Sequence, residues 1–389
     1  MKLLILTQTV DNKDGVLGFM HGWIAGFAQK CERVTVVCLK SGEYCLPENV
    51  RVLSLGKERH KSRIMYFFNF YKYIWQNRQD YDKVFVHMNY EYVILGAIYW
   101  RILRKKIALW YAHGHVSPGL RLAEKLVHVI FTSTKSGFRL KSDKVKVIGQ
   151  GIDTKNFAIY KRTDQVALDK ENPALSGAYP NAYRKDADKS GRRNADSAAF
   201  RSEQLVKDRN KIVSIGRISP SKDYATLIKA AEILKNKGLR VKVEIIGEPA
   251  VTADKKYLKW LEKMLDEKGL TGEIKFIGSV ANKDILEYLL SAGVFANMGM
   301  TGSLDKAMVE AMAAGLPVVS CNEAMEEALN GYADTLMFTK SDYNELAEKI
   351  KNIIKLPDEQ YARFSNILRK IAVNNHDLSN FIDKILAGL

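Results

Sequence analysis

Twice along this chain, short apolar runs alternate with stretches of helical length, and a polar segment separates the two series. The first series opens on Lys2–Gln8 (KLLILTQ). It continues with a helical pattern at Phe19–Lys30, runs at Arg33–Leu39 and Val50–Leu55, a helix at about Lys61–Asn77 and a run at Lys83–His87. A helix at Tyr92–Leu103, a run at Ile107–Tyr111, a helix at Leu120–Glu124 and runs at Val127–Phe131 and Lys144–Gly149 close it. Strands that are nearly continuously apolar are buried on both faces, and helices between them act as crossovers. The pattern therefore predicts a parallel sheet covered on both sides.

The second series starts at Lys211–Gly216 (KIVSIG) and runs through a helix at Tyr224–Asn236, a strand at Val241–Gly247, a helix at Lys255–Lys268 and a strand at Ile274–Gly278. It goes on with a helix at Lys283–Leu290, strands at Gly293–Asn297 and Val318–Ser320, a short helix, a strand at Thr335–Phe338 and a helix at Asn344–Lys355. The expected fold class is α/β, with two Rossmann-like parallel-sheet domains. The expected divisions are a first domain at 1–157, a polar, mobile insertion or linker at 158–210, a second domain at 211–370, and a C-terminal helix at 371–389. The linker reading rests on residues 163–207, which are small and polar with no sustained period.

Ligands of such sheets sit outside the carboxyl ends of the strands. At one such end stands the loop RISPSKD, with Arg217 and Lys222. At another stands Thr301–Pro317, TGSLDKAMVEAMAAGLP, which reads as a tight turn opening onto a helix. Gly302 and Ser303 give the turn, Ser303 is a good N-cap type, and Gly315-Leu316-Pro317 stops the helix. Met308, Ala311 and Met312 form its apolar face, with Glu310 on another side. Alone, this is an ordinary capped helix. Facing two cations, its free N–H groups and macrodipole complete a diphosphate cradle. No G-x-G-x-x-G follows the first strand of either half and no GxxxxGK[ST] occurs, which argues against a dinucleotide dehydrogenase and a P-loop enzyme.

Two loops of the first half carry chemistry. Asp11–Trp23 holds three glycines, including Gly18, and His21, which suits either close approach to a ligand or a plain surface loop. Tyr111–Gly119 holds His113 and His115 on one side of an extended segment. A metal would need a further ligand that the sequence does not supply, so no metal is expected; His113 reads as a substrate contact or as a capped structural histidine.

Lys and Arg number 60 against 44 Asp and Glu, a net charge of +16, which favours anionic partners without choosing among them. The segment His60–Arg78 mixes basic and aromatic residues. It fits helix core with solvated ends, a membrane headgroup boundary or a stack on nucleic acid, and no nucleic-acid-binding signature supports the last. Cys31, Cys38, Cys45 and Cys321 form no CxxC pair and read as unpaired thiols in a reducing compartment. Four apolar residues after Met1-Lys2 are too few for a signal peptide, and no apolar run reaches the ~20 residues of a membrane span. The expected location is the cytoplasm, with peripheral attachment to the inner face of the membrane an open reading.

Five segments together resemble a retaining glycosyltransferase of the group often called family 4 (group 1 glycosyltransferases), which has the two-domain GT-B fold; the resemblance implies that the two domains face each other across a cleft, with 1–157 on the acceptor side, 211–370 binding the nucleotide sugar and the C-terminal helix at 371–389 packing back on the first domain. They are VIGQGIDTKNF at Val147–Phe157, VSIGRISPSKDYATLIKA at Val213–Ala230, VEIIGEPA at Val243–Ala250, IKFIGSVANKDILEYL at Ile274–Leu289 and TGSLDKAMVEAMAAGLPVVS at Thr301–Ser320. The resemblance implies that Arg217 and Lys222 bind the donor diphosphate and stabilise the leaving group. It places Gly216, Gly247, Ile277, Gly302, Ser303 and Leu304 around the donor and gives Glu310 the ribose hydroxyls. His113 would touch the donor sugar from the first domain, and Gly18 and His21 would lie on the acceptor side. The family signature usually carries two glutamates separated by seven residues. Here the first position is Gly302, and Asp305 is the candidate replacement, counted with the catalytic residues. The implied activity moves a hexose-type sugar from a nucleotide-diphosphate sugar to a cell-envelope glycan or lipid-linked acceptor, with neither cofactor nor nucleic acid. A sugar-nucleotide epimerase of the same architecture and a non-catalytic nucleotide-sugar or glycan-binding protein are the alternatives.

Overall fold

The computed structural model describes residues 1–158, 208–300, 302–329 and 331–389. The polar segment expected at 158–210 thus falls almost wholly outside the described residues, as does Thr301.

Seven strands form the first sheet: β1 (Lys2–Val10), β2 (Arg33–Ser41), β3 (Val50–Ser54), β4 (Lys83–His87), β5 (Lys106–Trp110), β6 (Val129–Thr132) and β7 (Val145–Val147). All pairings are parallel, in the order β3-β2-β1-β4-β5-β6-β7. Along β1 the side chains divide between the two faces. Leu3 and Ile5 join one core cluster and Leu4 and Leu6 the other, all fully buried. That two-sided burial is why KLLIL carries no polar alternation.

The second sheet holds β8 (Asp208–Ile215), β9 (Lys242–Ile246), β10 (Ile274–Gly278), β11 (Ala292–Asn297) and β12 (Val318–Ser320), all parallel, in the order β10-β9-β8-β11-β12. Each sheet reverses its winding beside its first strand, between β1 and β4 and between β8 and β11. Such switch points open a crevice at the carboxyl ends of the strands.

The strand expected at Thr335–Phe338 is instead a helical turn, Ala333–Leu336. The β-favouring composition is there, but Leu336 and Met337 donate their N–H groups to the carbonyls of Tyr332 and Ala333. Only Phe338 N–H reaches Ser320 O, at 3.0 Å, and Met337 makes a single bridge to β12. A three-residue edge strand offers too little ladder to outcompete the local turn.

Helix α1 (Phe19–Lys30) covers one face of the first sheet; α2 (Arg63–Gln76) and α3 (Glu91–Ile102) cover the other. Phe70 and Ile74 anchor α2 in the core, yet Ile64, Met65, Phe67, Phe68 and Trp75 are exposed, as are Ile98 and Ile102 of α3. The segment His60–Arg78 is therefore core on one side and apolar surface on the other.

The chain ends with helices Asp358–His376 and Leu378–Gly388, broken at Asp377, whose carboxylate accepts the N–H groups of Ser379 and Asn380. The second helix lies on α1, where the Phe381 ring stands 4.3 Å from Trp23 and 4.9 Å from Trp110. The two passages of the chain between the domains run side by side. Ile152 N–H donates to His376 O, and Leu378 N–H to Ile152 O, each at 2.8 Å.

Candidate functional site

The carboxyl ends of β8, β9 and β10 carry Gly216, Gly247 and Gly278, which lie next to one another. Gly216 N–H donates to Ile246 O at 2.9 Å, and Gly247 N–H to Gly278 O at 2.8 Å. The backbones touch so closely that a Cβ on Gly247, whose φ is 140°, would stand 2.1 Å from the Gly216 carbonyl oxygen. The result is a floor of bare peptide that runs from the end of β8, the strand beside the switch point, across the ends of β9 and β10. Ile277, just before Gly278, is half-buried against the domain core.

Two cations flank that floor. Lys222 ends a single 3-10 turn, Pro220–Lys222, and its amine pairs with the Asp305 carboxylate; both side chains are 19% exposed. Asn297, at the end of β11, donates Nδ2–H to the same Asp305 oxygen at 3.2 Å. Arg217 is half-exposed, its Nε 3.8 Å from Asp254 Oδ2. Asp254 in turn accepts the N–H groups of Ala250 and Val251 at 3.2 and 3.4 Å. Each cation thus faces a carboxylate.

The signature helix spans Lys306–Ala313, and its N-cap is Asp305, which accepts the Ala307 N–H at 3.3 Å. The cap expected at Ser303 is displaced by two residues. Gly302 takes the left-handed conformation, φ 68°, and carries the turn past Ser303, whose carbonyl accepts the Asn322 amide at 2.7 Å. Leu304 is buried in the domain core, so only its backbone can meet a ligand. At the far end Gly315, φ 67°, closes the helix. Its N–H donates to Met312 O and that of Leu316 to Ala311 O, the paired bonds that satisfy two terminal carbonyls.

Glu310 is buried and paired with Lys306 one turn earlier. The Lys306 amine stands 5.1 Å from the Phe19 ring centroid, across the cleft. A cavity of about 430 Å³ opens between the domains here, lined by Gly18, Phe19, His21, Trp23, Lys306 and Glu310 among others. Gly18 is the residue at which α1 begins, and His21 Nε2 accepts the Cys45 N–H at 3.2 Å. Beneath, the His87 ring is buried 5.6 Å from Trp23 and 5.8 Å from Phe19, and burial pulls its pKa down to about 3. Arg217, Lys222 and His113 do not line this cavity and occupy other stretches of the cleft.

His113 follows β5. Its N–H donates to Gly137 O at 2.8 Å, and its Nδ1 accepts the His115 N–H at 3.0 Å. Partial burial, and then the charges of His115 and Arg139, lower its pKa and favour the neutral ring. Arg139 and Glu323 had no signal in any motif. They form an ion pair between the domains, wedged beside Gly114 and Gly302. Glu323 follows the carboxyl end of β12, and that strand-end position is the only trace of it in the sequence.

Among the described residues no group of three His, Cys, Asp or Glu could hold a metal ion. All four cysteines are free; burial raises the thiol pKa of Cys38 to about 12 and of Cys321 to about 11, so neither supplies a ready thiolate.

Residues 196–371 match the family model described as glycosyl transferases group 1. Over 133 residues the chain is 29% identical to the amylovoran biosynthesis glycosyltransferase AmsK of Erwinia amylovora, a match covering 31% of each protein. The chain spans about a third to under half of the length of the curated relatives it matches. Among solved structures, HepE of Anabaena in complex with UDP superposes with a TM-score of 0.72 over 100% of both chains at 19% identity. Sucrose-phosphate synthase of Thermosynechococcus elongatus gives 0.68 at 14% identity, over 100% of this chain and 98% of that one. The architecture is that of the GT-B glycosyltransferases, two parallel-sheet α/β domains. Within it, residues 196–371, under half of the chain, are similar to the group 1 glycosyltransferases.

Proposed function

We infer that the chain is a retaining, family 4 glycosyltransferase that moves a hexose-type sugar from a nucleoside diphosphate sugar to a cell-envelope glycan or lipid-linked acceptor. The observation that carries this reading is the bare glycine floor at the carboxyl ends of β8, β9 and β10, flanked by Arg217 and by Lys222, which pairs with Asp305 at the start of the Lys306–Ala313 helix. HepE has also been solved with UDP-glucose, a donor of the class proposed.

In this mechanism a diphosphate displaces Asp305 from Lys222 and lies between the two cations. They offset the charge that grows on the leaving oxygen as the glycosidic bond breaks, the term that commonly dominates such catalysis. Glu310 accepts hydrogen bonds from the ribose hydroxyls, and neutral His113 meets the sugar from the opposite domain. The acceptor enters past Gly18 and His21. As the bond from the anomeric carbon to the phosphate oxygen breaks, the acceptor hydroxyl oxygen bonds that carbon on the same face and gives its proton to the departing phosphate, so that configuration is retained without a carboxylate nucleophile. No helix among the described residues is long and apolar enough to cross a membrane. The exposed apolar residues of α2 and α3, in a chain of net charge +16, suit peripheral contact with an anionic bilayer on the cytoplasmic face.

The test is a thermal-shift screen against UDP-, GDP- and ADP-sugars, followed by product analysis with the sugar that binds. Transfer that falls by about 10²-fold or more in Arg217→Ala and Lys222→Ala supports the assignment. An isomerised nucleotide sugar in place of transfer would establish the epimerase. The glycine at position 302 favours one other reading, a binding protein, which binding without turnover would establish.

A further inference from the structure

The turn at Gly302 lacks the side chain that the signature would place there, yet the space beside it is not empty. A Cβ built on Gly302 would stand 2.6 Å from Glu323 Oε1 and 2.7 Å from Arg139 Nη2. A side chain at 302 would therefore need the ends of Glu323 and Arg139 to move aside, and φ 68° would strain it besides. Glu323 comes from the opposite side, from the first residue of the helix Glu323–Ala328 after β12. Asn322, the N-cap of that helix, fixes it to the turn by donating Nδ2–H to Ser303 O at 2.7 Å.

We propose that Glu323 is the carboxylate that reads the hydroxyls of the donor sugar, supplied from the β12 end of the cleft in place of one from position 302. This rests on the donor-site reading above. An ionised carboxylate offers only acceptors, about four lone-pair sites, and forms charge-assisted bonds to a pair of sugar hydroxyls. The location is fitting: Glu323 is beside the turn that leads to the Asp305 cap, and its partner Arg139 is close to the His113–Gly114 loop, where a Cβ on Gly114 would be 3.2 Å from Arg139 Cζ. Both side chains remain about half exposed to the cleft. Arg139 pairs with this carboxylate, and in the donor complex proposed here the sugar hydroxyls take the place of the guanidinium. Glu327, on the same helix, is held instead by the Lys135 N–H at 3.0 Å.

The experiment measures affinities of the wild-type chain, Glu323→Gln, Glu323→Ala and Arg139→Ala by calorimetry. The probes are UDP, GDP and ADP, each free and as its glucose and mannose esters. Both Glu323 variants are expected to bind the free nucleoside diphosphate within twofold of wild type and to lose at least tenfold in affinity for the sugar ester. Arg139→Ala, which frees the carboxylate, should hold or improve affinity for the ester. Unchanged ester affinity in the Glu323 variants, or equal losses for free diphosphate and ester, overturns the assignment and leaves the donor site standing. A parallel loss in Arg139→Ala makes the pair a clasp between domains and also overturns it. If the wild-type chain binds none of the free diphosphates, the donor site itself falls, and this proposal with it.

Discussion

Lowering the pH from 7 to 5 should cost the folded state about 4 kcal/mol through two buried histidines. Burial pulls His87 down to about 3 and His376 to about 4. His376 Nδ1 accepts the Gln150 N–H at 3.0 Å, and its Nε2 is buried with no partner among the described residues, so a second proton, at Nδ1, would break that bond and leave an unsatisfied donor. His87 Nδ1 lies 3.3 Å from Thr7 Oγ1. Above about pH 6.5 neither the folded nor the unfolded chain carries much charge on these rings. Below it the unfolded chain takes up protons that the folded chain refuses, until about pH 4 at His376 and about 3 at His87. The stability is therefore intact above about 6.5 and lost as pH falls, at about 1.4 kcal/mol per unit for each ring, or about 2 kcal/mol each at pH 5. Urea unfolding at pH 7, 6 and 5, followed by tryptophan fluorescence, measures it, since Trp23 packs on both His87 and Phe381. Carboxylates also titrate near the lower limit, so the comparison is with His87→Gln and His376→Gln, each of which should remove about half of the acid loss. A double variant with the same acid loss as wild type, within about 1 kcal/mol, would refute the reasoning.

Asp305→Asn keeps an oxygen for the helix cap but no longer neutralises Lys222, so inorganic pyrophosphate should bind several-fold more tightly by calorimetry; weaker binding would contradict the view that Asp305 competes for Lys222. Gly247→Ala forces a Cβ to within 2.1 Å of the Gly216 carbonyl oxygen and should lower stability by about 2 kcal/mol or more, and an unchanged melting temperature would show that the floor can yield. Phe68→Glu and Trp75→Glu alter exposed positions, so Tm should stay put while sedimentation with phosphatidylglycerol vesicles falls at least tenfold; equal sedimentation would remove α2 as the contact.

Much of the fold was legible because parallel strands buried on both faces leave a plain mark, as KLLIL does at β1. Helix ends were legible where a residue does local work, such as Gly315 at the close of the signature helix. Ser303 misled because capping propensity is local, while the choice of Asp305 is settled by Lys222 and Asn297 from two other elements. The Thr335–Phe338 run misled because strand composition has no force without a partner long enough to pair with. Composition at His60–Arg78 left core and surface open, and the fold assigns some residues to each. Arg139 and Glu323 are 184 positions apart and belong to different domains, so their meeting is a product of how the domains face one another and leaves no pattern in either neighbourhood.

The helix Leu378–Gly388 sets an order on synthesis. Phe381, Ile382, Ile385 and Leu389 belong to the same buried cluster as Leu3, Trp23 and Trp110. A ribosome delivers those four residues only after the whole second domain has been made. While the second sheet is free to fold behind it, the nascent first sheet must wait with Trp23 and Trp110 uncovered on one face. Chaperones that recognise exposed aromatic surface would find their target in the domain that is translated before the second sheet and completed after it.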